Sequence, residues 1–220
     1  MNRQGAFTLM ELTLAIAITA TIGVAVAGVA MTISSVHAYS QQCYESTQTG
    51  RTAMLRICSA VRKARLVTAV SAGGLALWMG DADGDGNIND DEIIVISYDS
   101  SSRQIVQTSV SYPATLDAAT RNAINASHPL ADLTSVAGSL SAIGANRYKA
   151  VRPLADDVGN FSVSTAPSAP LATLARLEMT VGADRTAFTL RNAARLRTDQ
   201  TADVGVVDDQ YVLSLDNNGG

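Results

Sequence analysis

The pattern of apolar and polar positions changes character along this chain. From Leu12 to Tyr44 there is no Asp, Glu, Lys or Arg, and the stretch from Leu12 to Ile33 is apolar throughout except for a few threonines. As a helix, a run of that length crosses about 30 Å of hydrocarbon. Beyond it the pattern becomes amphipathic. Met54, Ile57, Cys58 and Val61 recur at the three- and four-residue spacing of a helix face, and Arg51, Arg56, Arg62, Lys63 and Arg65 occupy other positions. The spacing predicts one long helix from Phe7 to Ala69, with Gly50 as its one strong breaker and the place for a bend. After Gly73 and Gly74 the period shortens to that of strands. Leu75–Met79, Glu92–Tyr98, Arg103–Tyr112, Asn160–Ser164, Ala175–Val181 and Thr186–Leu190 read as strands, rich in β-branched residues and separated by Gly, Pro, Asn and Asp. Between them, Leu116–Ala126 and Asp132–Ile143 read as short helices in an Ala-, Ser- and Thr-rich insertion. Val204–Val207 and Tyr211–Leu215 would add an edge strand to an otherwise polar, acidic tail. The fold class expected is α+β: a long N-terminal helix, membrane-spanning in its first half, packed on a C-terminal antiparallel sheet domain.

Composition narrows the function. The chain is 47% hydrophobic and 16% charged, with a net charge of −4. That balance argues against nucleic acid as the main partner, and the basic residues of the helix lack interleaved aromatics, so they read as a solvated face. Cys43 and Cys58 are too few for a disulfide scaffold. On one helix they would stand about 22 Å apart along the axis, so a bridge within the chain would require a sharp break at Gly50; both are expected to serve as small apolar residues, with a bridge between subunits as the alternative. His37 follows the apolar run and His128 precedes Pro129, so no His-centred site with a nearby acid is expected. Without a nucleophile elbow or phosphate loop either, the chain is not expected to be an enzyme.

Two motifs carry specific chemistry. Arg3 is the only basic residue before the apolar run, which predicts a cytoplasmic N-terminus and an exported remainder. One acid, Glu11, stands at the mouth of that run, where a carboxylate is costly unless it finds a partner. The segment Gly5-Ala6-Phe7-Thr8-Leu9-Met10-Glu11-Leu12 resembles the processing signal of type IV prepilins and type II secretion pseudopilins. In that family a short basic leader ends in a small residue, Phe opens the mature chain, and Glu is its fifth residue. The resemblance implies cleavage by prepilin peptidase between Ala6 and Phe7, N-methylation of Phe7, and neutralisation of Glu11 by the Phe7 amine of a neighbouring subunit. Ala6 departs from the usual Gly, but cutting after Gly5 would make Glu11 sixth. Residues 1–6 are then the leader, 7–36 the membrane and filament-core helix, 37–70 its amphipathic continuation, 71–200 the β-rich domain and 201–220 the tail. The implied partners are other pilin or pseudopilin subunits, the peptidase and the inner membrane, with the β-rich domain exported to the periplasm or to a surface filament. A looser resemblance, through Leu154–Phe161, Leu177–Val181 and Leu190–Asn192, is to the distal part of larger minor pseudopilins, and it favours a minor subunit.

The second motif is Asp81-Ala82-Asp83-Gly84-Asp85-Gly86-Asn87-Ile88-Asn89-Asp90-Asp91-Glu92. It matches the twelve-residue EF-hand calcium loop: Asp81, Asp83 and Asp85 at positions one, three and five, Gly86 at the turn, the Asn87 carbonyl at seven, Asn89 at nine, and Glu92 as a bidentate ligand at twelve. Hard oxygen donors in this number suit Ca2+. Strands rather than helices flank it, so the loop is expected at a hairpin, with calcium stabilising the fold. The alternative function is a membrane-anchored, calcium-dependent adhesin or binding module that never assembles.

Overall fold

The computed structural model describes residues 8–182, 187–196, 203–207 and 210–214. The fold is α+β, with one long N-terminal helix and antiparallel sheets. The chain divides into two compact units, Met1–Glu45 and Ser46–Gly220.

Helix α1 runs unbroken over Leu9–Lys63. In the first unit its large apolar side chains, from Leu9 through Ile22 to Val36, are exposed. It is long and apolar enough to cross a membrane. In the second unit the same helix buries Gly50, Ala53, Met54, Ile57, Cys58 and Val61, the stripe that the helical spacing predicts plus two small residues. Gly50 does not break the helix. It packs tightly against the strands: a Cβ there would stand 2.9 Å from Val181 Cγ2 and 3.0 Å from Leu190 Cδ1. The helix also ends earlier than the expected Ala69. Leu66–Ser71 is strand β1, buried on both faces over its first four residues, and such a run carries no alternation to separate it from a helix.

The strands that follow are β2 (Gly74–Trp78), β3 (Ile88–Asn89), β4 (Ile93–Asp99) and β5 (Gln104–Val110). Helix α2 (Ala118–Ile124) is capped by Asp117, and strand β6 is Ser127–His128. After a 3-10 turn at Leu130–Leu133, helix α3 (Val136–Gly144) is capped by Ser135. Then come β7 (Lys149–Ala155), β8 (Val158–Ala166), β9 (Leu174–Val181), β10 (Phe188–Arg195), β11 (Asp203–Val207) and β12 (Gln210–Ser214). A five-stranded antiparallel sheet has the order β1-β2-β4-β5-β7, and a three-stranded one β10-β9-β8. The tail strands β11 and β12 pair with each other rather than joining either sheet as an edge.

The five-stranded sheet is covered on both faces, and the pleat sorts its residues between two cores. Leu75, Leu77, Ile96 and Ile105 join the α1 stripe and the three-stranded sheet in one core. Ala76, Trp78, Ile93 and Val95 point the other way, onto Leu130, Leu133, Val136 and Ile143 of the insertion. The insertion is therefore half of a second core, and β2, buried at every position, is sandwiched between the two.

Candidate functional site

Residues Gly5, Ala6 and Phe7 lie outside the described residues. Glu11 sits in the first turn of α1, exposed, and closes a capping box with Thr8. The Thr8 N–H donates to Glu11 Oε2 at 2.9 Å, and the Glu11 N–H donates to Thr8 Oγ1 at 3.3 Å. Glu11 thus satisfies a helix-end donor of its own chain, a role legible in the Thr-x-x-Glu spacing.

The acidic loop joins β2 to β4, antiparallel neighbours, as the flanking strand patterns predict. Its ends are tied by the Met79 N–H donating to the Glu92 carbonyl at 2.9 Å. Gly84 (φ 77°) and Gly86 (φ 81°) take the left-handed conformation that lets the backbone coil around the acids. Asp81 is the hub. Its Oδ1 accepts from the N–H of Gly84 at 2.6 Å and of Asp85 at 3.2 Å, and its Oδ2 from Gly86 at 2.9 Å. One carboxylate oxygen from each of Asp81, Asp83 and Asp85 falls within 4.8 Å of the other two. Asp85 Oδ1 accepts from the Asn87 N–H at 2.7 Å, and the Asn87 side chain returns to the Asp85 carbonyl at 3.3 Å. The buried Asn89 points its amide nitrogen between Asp83 Oδ2 (3.2 Å) and Asp85 Oδ2 (3.1 Å). That amide, with the Asn87 N–H second, holds the Asp85 carboxyl below the usual carboxylate range.

Glu92 lies beneath the triad, 3% exposed. Its Oε2 accepts from Trp78 Nε1 at 3.0 Å and from the Asn89 N–H at 3.2 Å, while Oε1 accepts from the Ala82 N–H. Burial raises its pKa and the charge of Asp81 adds to the rise, against the pull of those donors. Among the described residues, no ion pair reaches Asp81, Asp83, Asp85 or Glu92. The donor set fits a hard divalent cation. Three carboxylates converge, each keeps at least one oxygen with a lone pair beyond its hydrogen bonds, and among the described residues no ion pair reaches them. A cation here would call for the oxygen of the Asn89 amide where its nitrogen now points. A polar recess of about 210 Å³ opens beside Asp83, Asp85 and Asn89, and Asn122 and Asn125 of the insertion complete its lining.

The last part of the loop does something the motif does not specify. Asp90, 3% exposed, places Oδ1 at 2.6 Å from His128 Nε2 and accepts on Oδ2 from Asn146 Nδ2 at 2.7 Å. Asn146 also donates to Tyr112 Oη at 2.8 Å, and the Asp90 N–H donates to the Ala126 carbonyl at 3.0 Å. Asp91 accepts from Asn125 Nδ2 at 2.9 Å and forms an ion pair with Arg121. An acid therefore does stand beside His128, contrary to expectation. Asp90 and His128 lie 38 residues apart, and the β3–β6 pairing of Ile88 with His128 brings them together. Only the Asp-rich composition of positions ten and eleven hints at this network, and nothing local identifies its partners.

A search of protein families, of curated proteins and of solved structures finds no match for this chain.

Proposed function

We propose that this chain is a pilin-like structural subunit, a minor one, of a type IV pilus or type II secretion pseudopilus. It is processed by prepilin peptidase between Ala6 and Phe7 and assembled through its N-terminal helix, and calcium in the loop 81–92 stabilises its exported domain. The observation that carries the reading is the division of labour along α1. Its first part is apolar and exposed, with Glu11 as the one acid before Glu45, and its later part buries a stripe against antiparallel sheets. A soluble protein has no use for so much exposed apolar surface; a membrane or the helices of other subunits would cover it. Glu11 then has two successive partners: Thr8 in the isolated subunit, and the Phe7 amine of a neighbour in the filament. In the loop, a hard cation supplies the positive charge that the converging carboxylates lack.

The test is the mature N-terminus of the protein from its native host, determined by mass spectrometry for the wild type and for Glu11→Ala. A chain beginning at methylated Phe7, with the variant processed but not assembled, supports the proposal. A chain beginning at Met1 or Asn2 overturns it and leaves a membrane-anchored, calcium-stabilised binding module.

A further inference from the structure

The insertion reaches the acidic loop through partly buried polar contacts, although most of its own burial comes from the apolar side chains of the second core. Asp90 bridges His128 and Asn146, which stand at opposite ends of α3 and its preceding turn. Asp91 holds Asn125 and Arg121 at the end of α2. Helix α2 itself buries none of its residues, so it is held to the fold by these contacts and its neighbours rather than by a core of its own. On the loop side, Asp90 and Asp91 form one 3-10 turn with Glu92, whose carboxylate reaches back to the Ala82 N–H beneath the triad.

We propose that Asp90 and Asp91 form a clamp that makes the docking of segment 113–148 depend on the order of the loop, so that a divalent cation bound at Asp81, Asp83 and Asp85 governs the surface presented by α2 and its flanks. This rests on the calcium reading above and extends it from local stabilisation to control of a surface more than twenty residues away in sequence. The physical reason is rigidity. Three like charges drawn together without a counter-ion repel, and the turn carrying Asp90 and Asp91 is continuous with the backbone that must hold them. Buried hydrogen bonds to charged groups are costly to leave unmade, so a shift of that turn releases the insertion rather than stretching it.

The experiment is hydrogen–deuterium exchange, read by mass spectrometry, on the full chain in detergent micelles, in calcium chloride and in EDTA. With free calcium at about ten times its dissociation constant, amides that open only with the loop exchange about tenfold more slowly. The proposal expects that slowing in peptides from both 81–92 and 113–148. In Asn146→Ala, which lies outside the loop, calcium should still protect 81–92 while protection of 113–148 falls. Protection of the loop alone in the wild type overturns the clamp and leaves the calcium reading intact. Protection of neither segment overturns both. The wild-type comparison decides the matter even if the variant fails to fold.

Discussion

Two acidic turns join neighbouring strands of the five-stranded sheet, and they settle their charge in different ways. Between β4 and β5, Asp99 meets its needs within four residues. Its Oδ1 accepts from the Ser101 N–H at 2.9 Å and from Ser101 Oγ at 2.6 Å, and its Oδ2 accepts from Ser102 Oγ at 2.8 Å. Those donors, the Ser101 hydroxyl first, lower its pKa to about 2. Between β2 and β4, the loop 81–92 also turns backbone N–H groups onto its acids, but it gathers three carboxylates and buries a fourth, Glu92, whose pKa is raised. The short turn is complete with what its own sequence supplies. The long one draws three carboxylates together with no ion pair to them among the described residues, and that convergence is what distinguishes a candidate cation site from an Asp-rich turn.

The most severe way to break the contrast is Glu92→Ala. It leaves Trp78 Nε1 and the Asn89 N–H buried without an acceptor, a loss of about 3 kcal/mol, measured by urea unfolding followed through Trp78, the one tryptophan. A loss below about 1 kcal/mol would show that Glu92 does not support the loop. Calcium should come next. At a hundredfold excess over its dissociation constant it adds about 2.7 kcal/mol and raises the melting temperature by about 5–10 °C, reversibly with EDTA. Identical calorimetric melts in calcium and EDTA would place the loop in the same class as the Asp99 turn. Asp83→Asn sharpens the comparison, because Asp83 is exposed and an amide oxygen can still accept one of its two contacts, from the Asp85 N–H or from Asn89 Nδ2. Without cation its stability should stay within about 0.5 kcal/mol of wild type, while at least half of the calcium-induced rise disappears. An unchanged calcium response would remove Asp83 from the site.

The smallest effect is expected at Asp99. Its folded pKa lies below the ordinary value of 3.8, so its stabilising contribution is present above that value and is lost as pH falls toward about 2. Asp99→Asn should therefore be slightly less stable than wild type at pH 7, converge with it near the acid end, and melt with the same calcium shift as wild type. A gap that widens on acidification would contradict the assigned hydrogen bonds.

The strands flanking the loop were legible because β2 and β4 are compact β-branched or apolar runs bounded by glycine and aspartate, and the observed Gly74–Trp78 and Ile93–Asp99 differ from expectation by about a residue. Strand β1 was not legible, since a segment buried on both faces shows no period and follows directly on a helix of good periodicity. Strand β7 was missed for the opposite reason: Lys149–Pro153 is exposed, and Pro153 reads as a breaker although it sits on an edge strand. The part the insertion plays in the core was not legible, because its Ala, Ser and Thr give little amphipathic contrast, yet Leu130, Leu133 and Ile143 complete a core.

By itself, then, the sequence determined the features whose causes are local. These are the apolar run long enough to cross a bilayer, the Glu11 at its mouth, and the alternation of acids and glycines that curls residues 81–92 around a common centre. Tertiary structure alone decided which of those acids converge within the loop and which pair with a remote segment. Asp90 and Asp91 are the same residue type as Asp83 and Asp85, but Asn125, His128 and Asn146 arrive from a remote segment to take them up. Spacing sets hydrogen bonds across a few residues, whereas burial and pairing depend on which distant segments pack overhead, and a linear pattern does not encode that directly.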